Sequence, residues 1–148
     1  MNHLLEVKNL SKNFPIYGGI LRREVGQVRA VDDVSLSVQA GETLGLVGES
    51  GCGKSTLGRL ILRLLPPTSG TIHFSGEDIT ALPLDQMKRI RREMQIIFQD
   101  PFASLDPRMT IGAILQEPLK IHRLGTRKEQ KEKVDELLFH TGISPDAL

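Results

Sequence analysis

A chain of 148 residues, 39% hydrophobic and 25% charged, with a net charge of +1, has the make-up of one globular domain with a real core. That near-neutral balance argues against a nucleic-acid-binding domain, which carries a strongly basic footprint. The single cysteine, Cys52, excludes an internal disulfide and fits a reducing compartment.

No apolar run reaches the ~18 residues a membrane span needs, and the opening "MNHLLEVKNL" has no signal-peptide form. A membrane role would therefore depend on another component. Taken in chain order, "LLEVKNL" alternates Leu5 and Val7 with Glu6 and Lys8, which predicts a half-buried strand. "FPIYGGILRREVGQV" breaks that pattern with Pro15, Gly18 and Gly19 and reads as a loop or hairpin insertion. "VDDVSLSVQAGE" alternates again, with Val34, Leu36 and Val38 on one face. "TLGLVG" is a short continuous apolar run, suited to a strand covered on both faces.

Leu57, Leu60, Ile61 and Leu64 then follow the spacing of a buried helix stripe, which Pro66 and Pro67 stop. "TIHFSG" predicts a strand, and "LDQMKRIRREM" a short helix with Leu84, Met87, Ile90 and Met94 inward. "QIIFQ" reads as another buried strand. Two helices follow, "TIGAILQEPL" and "TRKEQKEKVDELLFHTG". The second opens on a capping box, Thr126 with Glu129, and closes on Gly142. The expected parts are an antiparallel β section over about 1–42, a strand–loop–helix core over about 43–100, and a helical section over about 101–148.

The chemistry lies in "GESGCGKS", Gly48 to Ser55, which fits G-x-x-x-x-G-K-[ST] between a predicted strand and a predicted helix. Glycines let successive backbone N–H groups curl into one concavity at a helix N-terminus, where the dipole favours an anion. Lys54 adds charge for the β- and γ-phosphates, and the Ser55 hydroxyl is a ligand for Mg²⁺. Each charge-assisted hydrogen bond contributes about 1.5–3 kcal/mol, so several together can hold a polyphosphate. A dinucleotide fingerprint fails, because Thr56 stands where its third glycine belongs. Cys52 reads as a small loop filler, with no histidine nearby in sequence to make it a nucleophile.

Gln99 stands at the C-terminal end of the predicted strand "QIIFQ", where ligands bind in open α/β sheets. Its carbonyl can bind Mg²⁺ and its amide can orient a water, although a strand-end polar residue can equally be a turn former. The run Lys88, Arg89, Arg91 and Arg92 reads as a solvated helix face. His3, His73, His122 and His140 show no ligand spacing, so no zinc site is expected. Phe102, Leu105 and Met109 form either a partner surface or a patch buried under the helices.

"GESGCGKST" followed by "QDPFASLDPRMT" resembles the ATP-binding subunits of ABC importers for dipeptides and oligopeptides, nickel and glutathione importers included. "LEVKNLSKNF", "RAVDDVSLSVQAGETLGLVGESGCGKST" and "PPTSGTIHFSGEDI" follow in that family's order, so the resemblance covers nearly the whole chain. It implies an α/β fold, an ABC-type P-loop NTPase core with an antiparallel β subdomain before it and the start of a helical subdomain after it. It implies ATP and Mg²⁺ as ligands, held by Gly48, Glu49, Ser50, Gly51, Cys52, Gly53, Lys54, Ser55 and Thr56. Lys54 and Gln99 would be the catalytic pair, with Ser55 and Gln99 on the metal. Phe14 would stack on adenine, with Tyr17 as the alternative and simple packing under the insertion as the bland reading.

The partners implied are a second ATP-binding subunit, identical or not, and transmembrane permease subunits. A periplasmic or extracellular peptide-binding protein would join indirectly, and no nucleic acid would. The location implied is cytoplasmic, on the inner face of the membrane. The family's signature motif, its Asp-Glu strand and its switch histidine do not occur in this sequence. The expectation is therefore an incomplete domain, the front part of such a subunit, that binds ATP–Mg²⁺ without hydrolysing it alone. The rival is a P-loop or ABC protein without a transport role; the absence of [NT]-K-x-D argues against a GTPase.

Overall fold

The computed structural model describes residues 3–20, 22–100 and 104–143. The chain divides into two compact units, residues 1–95 and 96–148. The first holds a long hairpin, strands β1 (Leu5–Gly18) and β2 (Arg23–Val38), then helix α1 (Lys54–Ile61). Strands β3 (Ser69–Phe74) and β4 (Glu77–Asp78) and helix α2 (Leu84–Ile90) complete it. The four strands form one antiparallel sheet in the order β2-β1-β3-β4.

The expected hairpin insertion is the far half of β1 and β2, paired from Asn13↔Arg29 out to Gly18↔Arg23. Nearer the base, Val7 and Leu10 are both buried although three residues apart, which strict alternation does not allow. A bulge between them, with Asn9 at φ 48°, resets the phase. Side chains there replace ladder bonds: Asn9 N–H donates to Ser35 Oγ at 2.8 Å, and Asp33 N–H donates to Ser11 Oγ at 2.9 Å.

The sheet's inner face carries Val7, Leu10, Val31, Ile72 and Phe74, with Leu57 and Leu60 of α1 and Met87 and Ile90 of α2 in the same core. Each such side chain contributes about 1.5–3 kcal/mol by leaving water. Two details depart from the expected stripes. Leu64 and Leu84 are exposed, because α1 ends at Ile61 and α2 begins at Leu84 itself. The prolines do not end α1; Arg63, at φ 52°, turns the chain before them.

The two predicted buried strands are the larger difference. Residues 43–48 and 95–99 form no strand and join no ladder among the described residues. Leu46, Val47, Ile97 and Phe98 are exposed, Val47 to 91% and Ile97 to 93%. A strand of this apolar type is made by ladders on both edges and cover on both faces, and neither is present among the described residues.

In the second unit, α3 (Ile111–Ile121) and α4 (Arg127–Thr141) form a helical pair. Thr110 caps α3, its Oγ1 accepting from Ala113 N–H at 3.2 Å. The capping box opens α4: Thr126 N–H donates to the Glu129 carboxylate at 2.6 Å and Glu129 N–H donates to Thr126 Oγ1 at 3.4 Å. Gly142, at φ 70°, ends it. Gln130 is buried in α4 and donates to the carbonyls of Leu119 in α3 and of Leu124 and Gly125 after it.

Candidate nucleotide-binding site

Residues 48–53 lead into α1 as an exposed loop with Gly51 at φ 82° and Gly53 at φ 98°. Gly53 is the N-cap and has no side chain to satisfy the helix. The N–H groups of Lys54, Ser55 and Thr56 therefore have no intrahelical acceptor, and the first turn holds no acidic residue to compete for them. The first helical bond is Leu57 N–H to Gly53 carbonyl, 2.8 Å.

Two close approaches fix the loop's shape. A Cβ on Gly48 would lie 2.8 Å from Cys52 Sγ, so the loop curls back on its own start. A Cβ on Gly53 would collide with the Ala30 carbonyl oxygen of β2. Only glycine fits both that φ and that contact. The sheet thus seats the loop through backbone, at a position whose side chain gave no sequence signal.

The Lys54 ammonium crosses the concavity. It donates to the Gly48 carbonyl at 2.7 Å and the Glu49 carbonyl at 2.5 Å, and lies 3.5 Å from Cys52 Sγ. Ser55 is exposed and Thr56 half-buried, and no hydrogen bond among the described residues engages either hydroxyl. Open N–H donors, a lysine at the mouth and a free hydroxyl suit a polyphosphate. A lone hydroxyl also suits Mg²⁺, which takes one or two protein ligands and completes its shell with phosphate and water.

Phe14 pairs with Val28 across the hairpin, two residues along β2 from the Ala30 carbonyl that seats the loop. Phe14 is 37% exposed, and the Lys12 ammonium stands 5.2 Å from its ring centroid. Tyr17, 61% exposed, pairs with Glu24 farther out. Lys12 was missed as a site candidate, although a cation two residues from an aromatic on a strand shares its face.

Gln99 belongs to the second unit, exposed at a bend. Leu105 is exposed and Met109 half-buried, while Phe102 lies outside the described residues. In the basic run, Arg89 pairs with Glu77, and Arg91 Nη2 donates to the Arg63 carbonyl at 3.1 Å. Lys88 and Arg92 face solvent.

The chain is 50% identical over 143 residues to the oligopeptide transport ATP-binding protein AppF of Bacillus subtilis, an alignment that covers 96% of this chain and 44% of that protein. It is 49% identical to the probable peptide ABC transporter ATP-binding protein y4tS of Sinorhizobium fredii, covering 97% of this chain and 40% of that one. To the glutathione import ATP-binding protein GsiA of Pectobacterium atrosepticum it is 48% identical, covering 97% and 23%. The chain thus spans less than half the length of these relatives. Among solved structures, the ATP-binding cassette MJ0796, a dimer in a post-hydrolysis state bound to ADP and Pi, superposes with a TM-score of 0.74 at 25% identity. That match covers 97% of this chain and 62% of MJ0796. Residues 31–147 match the family model described as ABC transporter, and the chain belongs to that family.

Proposed function

We propose that this chain binds ATP–Mg²⁺ at the 48–56 loop, in a protein that powers the import of peptides of the dipeptide or oligopeptide class by hydrolysing ATP. The observation that carries the reading is the loop itself: positive-φ glycines, open N–H donors at α1 and the Lys54 ammonium converge on one concavity. The names of AppF and y4tS support the peptide class.

Within that reading, Gly48, Glu49, Ser50, Gly51, Cys52 and Gly53 wrap the phosphates with backbone. Lys54 exchanges its bonds to the Gly48 and Glu49 carbonyls for phosphate oxygens. Ser55 holds Mg²⁺, Thr56 completes the ATP-binding loop, and Phe14 stacks on adenine, supported by its exposure and its nearness along the hairpin to the loop's seat. Gln99, on the resemblance of the sequence around it alone, is the glutamine that would orient a water. Bound Mg²⁺ would neutralise charge on the β- and γ-phosphates.

The partners are a second ATP-binding subunit and transmembrane permease subunits, with a peptide-binding protein acting through them. Among the described residues, no helix is long and apolar enough to cross a membrane; attachment to permease subunits would place the chain on the inner face of the cell membrane. Calorimetric titration of ATP–Mg²⁺ into the chain and its Lys54→Ala variant tests the site. Saturable binding lost in the variant supports it, and equal affinities refute it.

A further inference from the structure

Lys12 makes two contacts that tie the exposed aromatic of the hairpin to the far end of the phosphate-loop helix. Its ammonium stands 5.2 Å from the centroid of Phe14. The same ammonium donates to the Pro66 carbonyl at 2.7 Å. Pro66 lies in the turn that follows α1, and that turn is stitched to β1 twice more. Thr68 N–H donates to the Ser11 carbonyl at 2.8 Å, and Asn13 N–H donates to Thr68 Oγ1 at 3.0 Å.

A lysine stem carries several rotatable bonds, so an ammonium held in one place over a ring costs side-chain entropy. Here the Pro66 carbonyl meets that cost by fixing the head. The cation attracts the negative face of the ring, and it supports one face of a residue that is 37% exposed. The ring otherwise has weak support: its cross-strand partner Val28 is 52% exposed, and Ile16 beyond it is 46% exposed.

We propose that Lys12 is a positioning residue for nucleobase binding, which holds the Phe14 ring in its stacking orientation by a cation–π contact anchored on the Pro66 carbonyl. The inference rests on Phe14 being the adenine platform. The same helix then serves both ends of the nucleotide. Its N-terminus receives the phosphates, and the turn after its C-terminus locks the cation that sets the base platform.

The test separates base from phosphates. Calorimetric titration of the 148-residue chain compares ATP with inorganic tripolyphosphate, both with Mg²⁺, in the unaltered chain and in Lys12→Met, Lys12→Arg and Phe14→Ala. Met keeps the apolar stem and removes the charge; Arg keeps the cation. Lys12→Met should weaken ATP about two- to five-fold, the span of an exposed cation–π contact, and leave tripolyphosphate unchanged. Lys12→Arg should restore ATP affinity. If Phe14→Ala leaves ATP affinity intact, the platform reading fails, and this inference with it. If Phe14→Ala weakens ATP selectively but Lys12→Met does not, the positioning role alone is overturned. Equal losses for both ligands in Lys12→Met, or no rescue by arginine, overturn it as well. Failure of the unaltered chain to bind ATP refutes the nucleotide site as a whole.

Discussion

The Ala30 carbonyl oxygen of β2 occupies the space into which a Cβ on Gly53 would project. The hairpin and the phosphate loop are therefore one construction: the strand that pairs with Phe14 also forms the floor under the residue before Lys54. Gly53→Ala should lift the loop off β2 and strain its φ of 98°. Strain of that kind costs roughly 1–3 kcal/mol, or several degrees in thermal midpoint at this chain length. A thermal melt and an ATP titration should both show the loss; an unchanged midpoint would contradict the contact.

Lys54→Ala should behave differently. Its ammonium holds the Gly48 and Glu49 carbonyls at an exposed loop, so removal frees carbonyls that water can satisfy. The melting midpoint should move by no more than about 4 °C, consistent with a net hydrogen-bond contribution near 1 kcal/mol. ATP affinity should fall at least about ten-fold. A large loss of stability would mean that the lysine serves the fold more than the ligand.

Much of this was legible in sequence because the signals were local. The capping box of Thr126 and Glu129, the glycine stop at Gly142 and the alternation Val34-Leu36-Val38 each state their own structure. The loop motif is likewise contiguous, so its residues converge by chain connectivity. What sequence could not supply was backbone meeting backbone: Ala30 under Gly53, or the bulge at Asn9 that buries Leu10. The apolar runs at 43–48 and 95–99 state burial, and burial depends on neighbours that no local pattern contains.

Those runs make their own prediction. Val47 and Ile97 are almost fully exposed, which makes them a liability in water. The purified chain should bind a hydrophobic dye such as ANS, and Val47→Ser with Ile97→Ser should reduce that signal without lowering the melting midpoint. A midpoint drop of several degrees would show that both side chains are buried in solution.

Acid should loosen the start of α4. The hydrogen bond from the Thr126 backbone N–H, then that of its side chain, holds the Glu129 carboxyl below its ordinary value of 4.5. The unfolded chain thus binds that proton more readily than the native one. The contribution is complete above about pH 4.5 and fades as pH falls through the lower native value. Amide exchange at Glu129 and Gln130 should quicken over that acid range. Glu129→Ala should remove the pH dependence, and Thr126→Ala should cost about 1 kcal/mol. Exchange independent of pH in the unaltered chain, after correction for intrinsic rates, would contradict the capping assignment.

Nucleotide binding by the 48–56 loop is the central claim, and one measurement bears on it most directly: calorimetric titration of ATP–Mg²⁺ into the 148-residue chain and into Lys54→Ala, with circular dichroism confirming that both are folded. The account predicts a saturable isotherm for the unaltered chain and a loss of at least about ten-fold in the variant. Two folded proteins with the same affinity, or an unaltered chain that takes up no ATP, would contradict it.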